Sequence, residues 1–155
     1  APPGVNLIVK RHPLDGGLTS WRRFVRREAQ RYGIADRVFY IGDGDISELV
    51  ARARAVVTVN STVGTLALNS GVPVAVLGDA IYDIEGIVRR EPLDTFWADP
   101  PPVDTELYEA FKRVLIDRCL IPGGYLSDEG IAMLVRHAVR RLTGADPVDH
   151  PEAGV

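Results

Sequence analysis

Residues 56–71 read VVTVNSTVGTLALNSG, and the way this stretch divides decides the fold. Up to Val59 the chain is a short β-branched apolar run, "AVVTV" (55–59), which suits a strand buried on both faces. The run stops at Asn60. Residues 62–71 then carry a helical pattern that Gly71 can end. A buried strand running into a Ser/Thr-marked helix start is half of a β-α-β unit, and the chain repeats that order on both sides. Upstream, "VNLIV" (5–9) is a strand, and Trp21, Phe24 and Val25 fall on one face of a helix over 19–32. Thr19 or Ser20 can cap that helix and Gly33 can terminate it. "RVFYIG" (37–42) is the next strand. "DISELVARAR" (45–54) is a short helix with Asp45 at its N-cap and Glu48 at capping-box spacing. Downstream, "VPVAVLG" (72–78) is a fourth strand. Continuously apolar strands alternating with helices predict an α/β fold: a Rossmann-like parallel sheet of at least four strands with helices on both faces.

The second half reads differently. "EPLDTFWADPPPVD" (91–104) is proline-rich and predicts a surface loop. "TELYEAFKRVLIDRCL" (105–120) and "EGIAMLVRHAVRRLTG" (129–144) are amphipathic helices joined by the loop "IPGGYLSD". One Rossmann-like domain over 1–144 and a mobile tail over 145–155 are expected.

Composition narrows the class. With 155 residues the chain can bury one real core, and 46% hydrophobic against 25% charged residues is the balance of a globular protein. No apolar run approaches the roughly 20 residues that span a bilayer. The formal charge of −3 argues against a nucleic-acid partner, although arginine is dense in "WRRFVRREAQR" and "VRHAVRR". Those runs are solvated helix faces or an anion surface. One cysteine, Cys119, excludes an internal disulfide; a packing role for it and a reducing, cytoplasmic compartment are expected. No His/Cys/Asp cluster has metal-ligand spacing, and no dinucleotide fingerprint follows any strand.

In open parallel sheets, ligands bind beyond the carboxyl ends of the strands. Three such ends carry polar residues here. The first strand runs into Lys10, Arg11, His12 and Pro13. The third runs into Asn60, Ser61, Thr62, Val63 and Gly64. Hydroxyls beside free amides at a helix start suit a phosphate, and Gly64 would admit a ligand close to the backbone. The same residues also suit a plain helix cap. His12 is a possible phosphate donor or a structural strand-end residue. After the fourth strand come Tyr82 and Asp83; Asp83 can hold a sugar hydroxyl or cap a turn.

The order and spacing of "VKRHPLD", "VNSTVGTLAL", "GVPVAVLGDAIYDIEGI", "LDTFW" and "GGYLSD" resemble the capsule polysaccharide biosynthesis/export family, bacterial proteins related to retaining β-Kdo glycosyltransferases. The likeness runs from about Val5 to about Leu142. It implies the C-terminal, donor-binding half of a GT-B-type glycosyltransferase, with CMP-Kdo as donor substrate and no cofactor. Similar bacterial sialyltransferases also pair a His-Pro turn with a Ser/Thr helix start. Carried over, His12, Ser61 and Thr62 hold the donor phosphate, and Asn60, Tyr82 and Asp83 lie near the nucleotide or sugar; Lys10 and Gly64, read from the residues alone, complete the expected substrate-binding set. The implied partners are a nucleotide sugar, a glycan or glycolipid acceptor and the protein's own N-terminal domain, where the catalytic residues are expected. The implied location is cytoplasmic, at the inner face of the bacterial inner membrane. A non-catalytic export accessory, a nucleotide-sugar binding module, or an enzyme using another activated sugar are the alternatives.

Two departures stand out. The resemblance puts a strand and helix ahead of Val5, between the strands at 5–9 and 55–59, so the sheet is expected to be compromised there, with a homo-oligomer or an altered strand order as the result. A small residue and an aromatic pair usually follow glycine in the last motif, where Gly124-Tyr125-Leu126 stands here.

Overall fold

A computed structural model describes residues 3–89 and 92–144. In chain order the elements are β1 (Leu7–Lys10), α1 (Trp21–Arg31), a 3-10 turn (Ala35–Arg37), β2 (Val38–Ile41), α2 (Ile46–Ala51), β3 (Val56–Thr58), α3 (Val63–Asn69), β4 (Val74–Val76), α4 (Leu93–Ala98), α5 (Thr105–Cys119) and α6 (Asp128–Thr143). They form two compact units, Ala1–Tyr108 and Glu109–Val155.

In the first unit the four expected strands form and pair in parallel, but as two ladders. β1 pairs with β2 in the register Leu7↔Val38 to Lys10↔Ile41, and β3 pairs with β4 from Val56↔Val74 to Thr58↔Val76. The fold is therefore mixed α/β with two small parallel sheets, not the single four-stranded sheet the sequence predicts. The break separates the first pair from the second.

The two ladders differ in burial. β4 has β3 on one side and a bridge from Ala75 to Arg89 on the other, with the Arg89 amide 2.9 Å from the Val74 carbonyl. Flanked on both edges, Val74 is 1% exposed and Ala75 2%. β1 and β2 have each other alone among the described residues, and their facing pair Ile8 and Phe39 remains about half exposed, at 52% and 47%.

Helix ends follow local chemistry. The Asp45 side chain accepts the amides of Ser47 and Glu48 at 2.7 and 3.2 Å, so it caps α2 as expected. Glu48 turns to Arg52 at 2.8 Å rather than closing the reciprocal half of a capping box. Gly33 and Gly71, at φ 65° and 69°, follow α1 and α3 where a left-handed residue is needed. The stretch expected to be a plain loop holds α4. Pro92 sits at its start, the Thr95 hydroxyl donates to the Pro92 carbonyl at 2.8 Å, and Phe96 is fully buried. Leu68, Val74, Tyr82, Ile87, Phe96 and Tyr108 make up much of the core.

In the second unit, Ser127 caps α6 by accepting the Gly130 amide at 3.1 Å, and Gly144 closes it at φ 66°. Arg141 donates to the carbonyls of Asp117 and Leu120 at 2.6 and 2.9 Å, tying α6 to the end of α5. α6 buries none of its residues. Cys119 is exposed, contrary to the packing role expected of it; it is the last residue of α5 and faces solvent. The tail expected over 145–155 lies outside the described residues.

Candidate functional site

The turn after β3 is organised by its own polar groups. The Ser61 amide donates to Thr58 Oγ1 at 3.1 Å, and Ser61 Oγ accepts the Val63 amide at 3.2 Å. The Ser61 carbonyl accepts the Gly64 amide at 2.9 Å and the Tyr82 hydroxyl. Ser61 thus works as the helix cap, while Thr62 occupies the N-cap position without a side-chain cap and stays exposed. Asn60 is exposed beside it.

Two buried tyrosines hold this turn from below. Tyr82 is 2% exposed and bonds to Ser61; Tyr108 is 3% exposed and donates to the Thr65 carbonyl at 3.1 Å. Burial pushes the Tyr82 phenol above its ordinary pKa, and the Tyr108 phenol adds to the shift. Gly64 is buried, and a Cβ built on it would fall on the Tyr82 ring. The space that the glycine leaves is therefore filled by a protein side chain. Sequence reasoning gave Gly64 and Tyr82 ligand contacts; the structure gives both a packing task beneath the turn. The signal was present, since Gly64 and Tyr82 are the small and large halves of one contact, but their separation in sequence hid it.

His12 stands on the other ladder, in the loop after β1, and is exposed. Its Nδ1 accepts the Leu14 amide at 3.1 Å. With Nδ1 used as the acceptor, Nε2 is the ring nitrogen left to donate to a ligand. Lys10 ends β1, and both residues line an open groove of about 340 Å³ with Arg11, Asp15, Trp21 and Tyr40. Asp83 has its amide bonded to the Ala80 carbonyl at 2.9 Å and is half-buried in the turn after β4. The structure thus joins Ser61, Gly64 and Tyr82 in one cluster and Lys10 with His12 in another. Each lies just past the carboxyl end of a parallel strand, and no hydrogen bond links the two clusters among the described residues. The described residues hold no group of three or more His, Cys, Asp or Glu that could bind a metal. They form no helix long and apolar enough to cross a membrane.

Residues 1–125, which contain both strand-end clusters, match the family model described as capsule polysaccharide biosynthesis protein. The chain belongs to that family. Among curated proteins it is 35% identical over 125 residues to the capsule polysaccharide export protein KpsS of Escherichia coli, covering 81% of this chain and 32% of that protein. It is 35% identical over 128 residues to the capsule polysaccharide modification protein LipB of Neisseria meningitidis, covering 82% and 30%. Protein FixF of Sinorhizobium fredii is 38% identical over 88 residues, 57% of this chain and 20% of that protein. The chain spans about a third of the length of the two capsule relatives. No solved structure matches it.

Proposed function

We propose that this capsule-family chain is the donor-binding, Rossmann-like half of a GT-B glycosyltransferase. Its donor would be a CMP-activated sugar, CMP-Kdo first among them. The observation that carries the reading is the pair of strand ends. One presents a hydroxyl-rich turn, Asn60–Thr62, held from beneath by Tyr82; the other presents the exposed His12, with Nε2 left to donate, beside Lys10. Such groups suit a nucleotide phosphate, and family membership supplies the sugar context.

In this reading the bond between the anomeric carbon and the phosphate oxygen breaks, and CMP leaves with the electron pair. The acceptor hydroxyl forms the new bond and gives its proton to a base outside this chain. Lys10, His12 and the Ser61–Thr62 turn offset the charge that builds on the departing phosphate. Asn60 and Asp83 lie near the nucleotide or sugar. Gly64 and Tyr82 act indirectly, by fixing the turn. The acceptor would be a glycan or glycolipid, and no cofactor is required.

A second reading is a non-catalytic module that binds a nucleotide sugar in polysaccharide export, which the word "export" in the name of one relative favours. Calorimetric titration with CMP, UMP and their sugar conjugates tests donor binding under either reading. Release of CMP from CMP-Kdo in the presence of acceptor, by the whole protein, separates the two.

A further inference from the structure

Charge is distributed very unevenly along this chain. Between Lys10 and Arg37 there are eight basic and three acidic residues, a net +5, while the remainder of the protein carries −8. Most of the excess sits on α1. The sole carboxylate of that helix, Glu28, is already shared by Arg27 at 3.1 Å and Arg31 at 3.5 Å. Arg22 lies over the Tyr40 ring, 5.5 Å from its centroid. Arg23 and Arg26 are exposed and make no ion pair among the described residues.

This arrangement opposes the helix it stands on. Arg22 and Arg26 are four residues apart and Arg23 and Arg26 three, spacings at which like charges repel. Arg22 and Arg23 also fall in the first turn, where the helix dipole disfavours cations, and that turn contains no acidic residue and no side-chain cap. Proteins break such local rules chiefly at functional sites. The three arginines line one open groove of about 450 Å³ with Ser20, and Val38 and Tyr40 contribute to it. Its size falls within the ~300–1,000 Å³ of ordinary ligand sites. Val25 and Tyr40 are common to this groove and the one holding Lys10 and His12, so the two adjoin.

We propose that the Arg22–Arg23–Arg26 groove binds an acidic oligosaccharide, its carboxylates paired with the guanidinium forks. Planar guanidinium groups match carboxylates in bidentate geometry. The net −8 outside residues 10–37 disfavours an extended polyanion such as duplex nucleic acid, and the family description supplies polysaccharide as the context. The inference rests on the proposed function in one respect: the bound glycan would be the acceptor, leading towards the donor phosphate at His12.

The test is a titration of the chain with trigalacturonate, read by calorimetry and by the fluorescence of Trp21, which lines the adjoining groove. Saturable binding is expected, with affinity falling steadily as salt is raised and no binding of neutral maltotriose. Arg22→Gln/Arg26→Gln should weaken trigalacturonate at least tenfold. The same double variant should raise the melting temperature slightly, because repulsion is relieved, and should weaken CMP less than trigalacturonate, because neither arginine lines the groove that holds Lys10 and His12. An unchanged trigalacturonate affinity in the folded double variant overturns the proposal. So does equal binding of maltotriose, or a preference for phosphatidylglycerol vesicles or oligothymidylate over trigalacturonate. CMP binding without trigalacturonate binding sinks the groove and spares the donor site. Trigalacturonate binding without CMP binding sustains the groove and sinks the donor site.

Discussion

At the scale of single residues, the exposed side chains and the buried ones make different predictions. His12→Ala removes the ring nitrogen that is free to donate. A hydrogen bond with one charged partner is worth about 1.5–3 kcal/mol, so CMP affinity should fall roughly ten- to a hundredfold while the melting temperature stays put. Ser61→Ala should cost less affinity, because the amides of the turn remain. Unfolding by His12→Ala, with CMP affinity retained in the folded fraction, would make the residue structural. Gly64→Ala drives a methyl into the Tyr82 ring, and overpacking of that kind costs about 1–3 kcal/mol; a drop in stability in urea unfolding checks it. Tyr82→Phe should lose about 1 kcal/mol with its hydrogen bond. The Tyr82 phenol titrates above its ordinary value of 10.0 in the folded protein, because burial, and then Tyr108, disfavour its charged form. The stability it contributes is therefore complete below pH 10 and is lost as pH rises further, so wild-type stability should decline more steeply above pH 10 than that of Tyr82→Phe. The polar residue types at the strand ends were legible in the sequence. That Gly64 serves Tyr82 was not, because the two residues stand 18 positions apart in the chain.

Among the elements of the described residues, periodicity located each strand and helix except α4. The proline run of 100–102 and Pro92 pointed to a loop, yet Pro92 stands at a helix start, where its missing amide costs nothing. One buried aromatic side chain decides the matter: Phe96 is 0% exposed and anchors a six-residue helix too short to hold itself. Phe96→Ala should cost about 3–5 kcal/mol, read as a shift in the urea midpoint. Asp45→Ala, which removes the cap of α2, should cost about 1 kcal/mol without touching CMP affinity. Helix α1 illustrates the opposite limit. Its apolar positions were readable, but only the folded chain shows that Arg22, Arg23 and Arg26 share a groove over Tyr40.

For the whole molecule, strand identity and parallel pairing followed from the apolar runs, but the joining of the ladders did not, because pairing depends on neighbours and not on composition. Amide exchange should therefore be slow in β4, which is flanked on both edges, and markedly faster in β1 and β2. Equal protection across all four strands would mean one continuous sheet. The exposed Ile8 and Phe39 leave an apolar face on the first ladder, and sedimentation should show self-association that rises with protein concentration. The central claim, however, is donor binding at two strand ends, and the most direct measurement is calorimetric titration of the chain and of its His12→Ala variant with CMP, UMP and CMP-Kdo. The account predicts saturable binding of CMP and CMP-Kdo in preference to UMP, weakened roughly ten- to a hundredfold by the substitution. Absence of CMP binding by a folded chain, or equal affinity in wild type and variant, would contradict it.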